Sequence, residues 1–122
     1  MSSLSTPLID LLSHALDLTA QRQALTTQNV ANVDTPGYHT RDIDFRSELQ
    51  RAMVMEDSEP MGSTPFVREV PGLVERPDGN NVSIDREGLL MAQNQLQFQT
   101  EAQLLHSEFN RLQEAISGGS GQ

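Results

Sequence analysis

The first apolar residues of the chain fall on one side of a helix. Leu8, Leu11, Ala15, Leu18 and Leu25 recur at spacings of three, four, three and seven, the rhythm of a coiled-coil seam. Arg22 and Asn29 take slots where that register asks for apolar side chains. Burying both in a lone two-helix coil would stabilise it poorly, so several neighbours or partial exposure are expected. A second seam lies near the other end. Met91, Phe98, Ala102, Leu105, Phe109, Leu112 and Ile116 keep a heptad rhythm interrupted by Gln95, with a weaker stripe of Leu89, Ala92 and Leu96 beside its first half. The stretch QNQLQFQTEAQ keeps apolar residues at helical spacing and belongs to this helix.

Punctuation sets the limits of these elements. Thr6 is a natural N-cap with Pro7 at the first helical position, and Thr35-Pro36 forbids the helix to continue, which predicts a helix over 7–34. Pro36-Gly37 suits the centre of a type II turn. The alternation Arg41-Asp42-Ile43-Asp44-Phe45 predicts an extended segment, so residues 29–45 form a shaped joint. A short helix is expected over 45–55, with Asp44 as cap and Phe45, Leu49, Ala52 and Met53 as its apolar residues. Pro60, Pro65, Pro71 and Pro77 make 56–82 a loop, closed by Asp78-Gly79-Asn80-Asn81, with a short strand at 66–70. The last helix should run over 83–117, capped by Ser83 or Asp85, and leave 118–122 disordered. The expected fold is mainly α: two long terminal helices paired as an antiparallel coiled-coil-like hairpin, with a short extra helix and a proline-rich loop or small β excursion between them. Periodicity is met equally by seams that satisfy one another and by seams that also serve assembly.

Composition narrows the function. The 122 residues suffice for one small domain, but 36% hydrophobic and 4% aromatic content leaves little for a large core, so burial is expected to come partly from partners. A net charge of -9, with every basic residue an arginine, argues against nucleic acid and against anionic membrane surfaces. The absence of cysteine removes disulfides, thiol catalysis and thiolate metal sites. Asp10 and Asp17 interrupt the N-terminal apolar residues and no basic segment precedes them, so neither a cleaved signal nor a membrane span is expected.

Chemistry is sparse. His14, His39 and His106 are far apart and lack metal-ligand spacing, although the first and last lie on the two long helices. Asp42 and Asp44 could be read as a carboxylate pair, but alternating acids are more often a solvated face or a cap, and no second catalytic group stands beside them. No nucleophile elbow or phosphate-binding glycine loop occurs. Neither an enzyme, a cofactor nor a small-molecule substrate is expected.

One run carries more information. Asn29-Val30-Ala31-Asn32-Val33-Asp34-Thr35-Pro36-Gly37-Tyr38 resembles the N-terminal motif of bacterial flagellar axial proteins. Arg41-Asp42-Ile43-Asp44-Phe45, Asp78-Gly79-Asn80-Asn81-Val82 and Met91-Ala92-Gln93-Asn94-Gln95-Leu96 bring the resemblance to the flagellar basal-body rod protein family, nearest the proximal-rod B subunits. It implies a structural rod subunit, exported through the flagellar type III apparatus without a cleaved signal, crossing the periplasm and needed for motility. Its partners would be itself, other rod proteins, and export-gate and basal-body ring components, and its terminal helices would form an inner layer around the export channel. Under that resemblance Asn29, Ala31, Asn32, Thr35, Pro36, Gly37 and Tyr38 are the joint, and the two seams are assembly surfaces. Where family members often carry a basic residue after the tyrosine, this chain has His39, and its compact middle leaves no room for a large outer domain. The competing reading is a cytoplasmic helical adaptor or export chaperone, which needs the seams but not the joint.

Overall fold

The computed structural model describes residues 6–54 and 64–121, with side chains placed through Gly118. The first part of the proline-rich loop, including Pro60, and the last residue of the short helix expected over 45–55 lie outside the described residues. Five elements follow in order: α1 (Pro7–Ala31), β1 (Arg41–Ile43), α2 (Phe45–Val54), β2 (Val67–Glu69) and α3 (Ile84–Gly121). The two long helices pack along one another in opposite directions, and α2 and β1 lie against α1. β1 and β2 form a two-stranded antiparallel sheet with Arg41 opposite Glu69, Asp42 opposite Arg68 and Ile43 opposite Val67.

Local chemistry explains the helix starts. Thr6 Oγ1 accepts from the Ile9 N–H at 3.1 Å with Pro7 behind it. Asp44 takes both the backbone N–H (3.3 Å) and the hydroxyl (2.9 Å) of Ser47 at the head of α2. Those bonds to the ionised form hold the Asp44 carboxyl below its ordinary value. Ser83, rather than Asp85, caps α3 by accepting from the Arg86 N–H at 3.2 Å.

The ends depart from expectation. α1 stops at Ala31 instead of reaching residue 34, because the next bonds tighten: Val33 N–H donates to Val30 and Thr35 N–H to Asn32, three residues back rather than four. α3 continues to Gly121 through the stretch expected to be disordered. Among the described residues only Gly37, Gly72 and Gly79 have positive φ, so Gly118 does not adopt the left-handed cap that ends many helices.

The interior is polar. Among the described residues the buried apolar side chains are Ile9, Ala15, Leu18, Ile43, Pro65 and Val82, whereas nine buried side chains are polar or charged. A chain so built depends on hydrogen-bond geometry for its shape, since each buried polar group must find a partner.

Candidate functional site

The joint consists of two turns docked face to face. In the first, Tyr38 N–H donates to the Thr35 carbonyl at 3.2 Å and Gly37 has φ 76°, the type II arrangement its Pro-Gly pair predicts. In the second, Gly79 has φ 86°. A Cβ placed on Gly79 would lie 3.2 Å from Gly37 Cα, so the turns meet backbone to backbone. Gly37 N–H donates to the Asp78 carbonyl at 2.9 Å. Asn80 Nδ2 spans the carbonyls of Asn32 (2.9 Å) and Thr35 (2.8 Å). Asn81 Oδ1 accepts from Thr40 N–H at 2.7 Å, and an Arg76 guanidinium N–H donates to the Val33 carbonyl. The Asp-Gly-Asn-Asn run, legible in sequence only as the close of a loop, is the joint's other half.

Asn29 anchors this pair of turns to the helices. Its Oδ1 accepts from the Tyr38 hydroxyl (2.8 Å) and the Arg41 N–H (3.1 Å). Its Nδ2 donates to the Arg41 carbonyl (2.9 Å) and to Glu87 Oε1 (2.7 Å). An amide side chain has two donor hydrogens and two acceptor sites, and all four are in use. Burial, opposed by the nearby Arg41 charge, pushes the Tyr38 phenol above its ordinary value. Asn32 acts locally, donating to the Gln28 carbonyl (2.8 Å) and accepting from the Thr35 hydroxyl (3.0 Å). Ala31, Thr35, Pro36 and Gly37 are exposed at the surface of the joint.

The two polar interruptions of the first seam both have partners within the chain. Arg22 grips Asp42 through Nε (2.9 Å) and Nη2 (3.0 Å), a bidentate pair. Arg86 Nη2 reaches the same carboxylate at 3.3 Å while its Nη1 holds Glu87 Oε2 at 2.6 Å. The carboxylate pair considered from sequence is therefore divided. Asp42 belongs to this cluster, and Asp44 caps α2 and meets Arg68 at 2.8 Å. Both arrangements expected for these residues occur: Arg22 stays partly exposed, and Asn29 is buried among several neighbours, because α3, β1 and Tyr38 all supply its bonds.

Along the helices the same principle repeats. Asn29 meets Glu87, Asn94 Nδ2 donates to Gln23 Oε1 at 3.1 Å, and the Thr19 hydroxyl donates to Glu101 Oε1 at 2.8 Å. Glu87, Asn94 and Glu101 are seven residues apart, so α3 faces α1 with a polar heptad. Met91 and Phe98, three before Asn94 and Glu101, sit about 60° around the helix from that line. The apolar stripe is consequently left beside the contact. Ala102, Leu105, Leu112 and Met91 are half-buried, while Phe98, Phe109 and Ile116 keep 44%, 46% and 50% of their surface exposed. On α1, Ala15 and Leu18 are buried, Leu11 and Leu25 half-buried and Leu8 exposed. Leu89 and Leu96 point to solvent.

His14 lines a hollow with Leu8, Leu11, Ala52 and Met53, and His106 is exposed. Among the described residues no group of three or more His, Cys, Asp or Glu side chains is placed to hold a metal ion, and no helix is long and apolar enough to cross a membrane.

Residues 9–39, which are nearly all of α1 and the first turn of the joint, match the family described as flagella basal body rod protein. The flagellar basal body rod protein FlgB of Salmonella typhimurium is 37% identical over 124 residues, covering 87% of this chain and 90% of that protein. The chain belongs to the FlgB family of flagellar basal body rod proteins. FlgB of Escherichia coli is 35% identical with the same coverage. FlgB of Bacillus subtilis is 29% identical over 96% of this chain and 98% of its own, so the likeness to FlgB proteins extends through the joint, the second turn and α3.

Proposed function

We propose that this FlgB-family chain is a structural subunit of the proximal rod of the flagellar basal body, exported from the cytoplasm through the flagellar type III apparatus without a cleaved signal. It polymerises with itself and other rod proteins, in contact with export-gate and basal-body ring components, in the rod that crosses the periplasm, and motility needs it. Family membership supports a structural role rather than catalysis. The observation that carries the assembly reading is the apolar stripe of α3, left half-open beside a polar helix contact.

Magnitudes favour a subunit that has several neighbours. Full burial of a Phe or Ile side chain contributes roughly 1.5–3 kcal/mol, and about half of that is still available at Phe98, Phe109 and Ile116. The resulting sum of a few kcal/mol falls short of the association cost, on the order of 4–15 kcal/mol. One such contact leaves the free chain a monomer, and a polymer that covers several surfaces at once does not. The joint suits this arrangement because it fixes the angle at which α1 leaves the helical layer, and residues 29–45 and 78–82 then set where a neighbour is met.

A photo-crosslinking residue in place of Phe109, in swimming cells, tests the reading. Adducts with rod proteins in purified basal bodies are expected. Recovery solely in soluble cytoplasmic complexes would instead favour the adaptor or chaperone and overturn the rod assignment.

A further inference from the structure

Residues 71–75 leave the sheet after Val70 and rejoin the joint at Arg76. Val70 N–H is bonded to the Thr40 carbonyl at 2.9 Å, and Arg76 N–H to the Asn80 carbonyl at 2.8 Å. Between these anchors, among the described residues, the polar tie to the rest of the chain runs through one side chain, Glu75. Its Oε1 lies 3.2 Å from His39 Nε2, while His39 Nδ1 lies 2.8 Å from Glu69 Oε1 on β2. One imidazole thus joins the first turn, the edge of the sheet and the loop.

The chemistry of this contact is asymmetric in protonation. An ionised carboxylate only accepts hydrogen bonds, and a neutral imidazole has a single N–H. Both contacts are hydrogen bonds only when both ring nitrogens carry protons; otherwise one nitrogen turns a lone pair towards a carboxylate. We propose that His39 is a proton-operated clasp that holds residues 71–75 against the Pro36-Gly37 turn, closed as imidazolium and open at Glu75 as the neutral ring. Glu75 is the end released, because its contact is the longer and Glu69 is also held by the ladder opposite Arg41. The remaining charges of the second turn, Arg76 and Asp78, pair with each other at 3.8 Å.

Hydrogen bonds to Glu69 and then Glu75 raise the His39 pKa above its ordinary 6.5. The sign follows: the clasp is fully present below that value and is lost as pH rises through the raised one. Nothing in it depends on assembly, so it stands apart from the rod reading.

An NMR titration of the full-length protein, following the His39 ring and the backbone relaxation of residues 71–75, tests it. His39 should titrate above 6.5, Glu75→Gln should lower that midpoint, and the order of residues 71–75 should fall as His39 loses its proton. His39→Gln should abolish the pH dependence of that order without unfolding the protein, since the side chain is at the surface. The clasp is overturned if His39 titrates at its ordinary value, if Glu75→Gln leaves the midpoint in place, or if the loop's order is unchanged through the titration.

Discussion

Asn29 donates a 2.7 Å hydrogen bond to Glu87 across 58 residues of sequence, and the two side chains retain 1% and 0% of their exposure. Each is sealed from water by the other's helix, so neither can replace the bond with solvent. The pair ties the joint to the start of α3, and the Tyr38 hydroxyl and the backbone of Arg41 hang on the same amide.

Asn29→Ala should therefore be among the most damaging single substitutions. It strands one oxygen of the buried Glu87 together with the part-buried Tyr38 hydroxyl and both backbone groups of Arg41, and an unsatisfied group that is fully buried costs about 1–3 kcal/mol. A loss of roughly 3 kcal/mol or more in urea unfolding is expected. A loss below about 1 kcal/mol would mean that water reaches the joint.

The glycines of the two turns should differ. Gly37→Ala meets open space and bears only the backbone cost of a left-handed residue, about 1–2 kcal/mol. Gly79→Ala bears the same cost and also forces the turns apart, because its Cβ would sit 3.2 Å from Gly37 Cα. Comparison of the two unfolding midpoints should place Gly79→Ala lower. Gly37→Val exceeds Gly37→Ala, since β-branching resists positive φ further.

Charges introduced into the α3 stripe should separate folding from assembly. Leu105 is half-buried and Phe109 exposed. Leu105→Asp should lower the thermal midpoint of the free chain and impair motility, as a charge loses its water. Phe109→Asp should cost the free chain roughly 1 kcal/mol, for the half of its surface that is already covered, and impair swimming out of proportion to that loss. Normal swimming by Phe109→Asp cells would remove the stripe from the assembly surface.

The head of α2 should loosen in acid. Asp44 has its pKa lowered from an ordinary 3.8, first by the Ser47 hydroxyl, then by the Ser47 N–H. A depressed carboxylate stabilises fully above its unfolded value, and that contribution is lost as pH falls through the folded one. The Ser47 amide shift should follow this transition below 3.8, and Asp44→Asn should flatten it.

Much of the joint was legible because its causes are local. A type II turn follows from Pro36 presetting φ and Gly37 accepting a positive one, and the caps Thr6, Asp44 and Ser83 sit beside the N–H groups they satisfy. The second turn at 78–81 was visible for the same reason. Its docking on the first was not, because nothing in either run encodes the other. In the sequence His39 stands only as a departure from a basic position, because its two carboxylate partners are 30 and 36 residues away.

The sequence by itself determined where the helices start, where the chain reverses and that two long helices close on each other, since caps, turn residues and periodicity act within a few positions. Only the tertiary structure decided which face of α3 meets α1. Apolar periodicity points to the stripe through Met91, Phe98 and Phe109, yet the contact forms on Glu87, Asn94 and Glu101. Those polar side chains are stable inside because Asn29, Gln23 and Thr19 stand opposite them, and a hydrogen bond between residues 58 to 82 positions apart has no signature until the chain is folded.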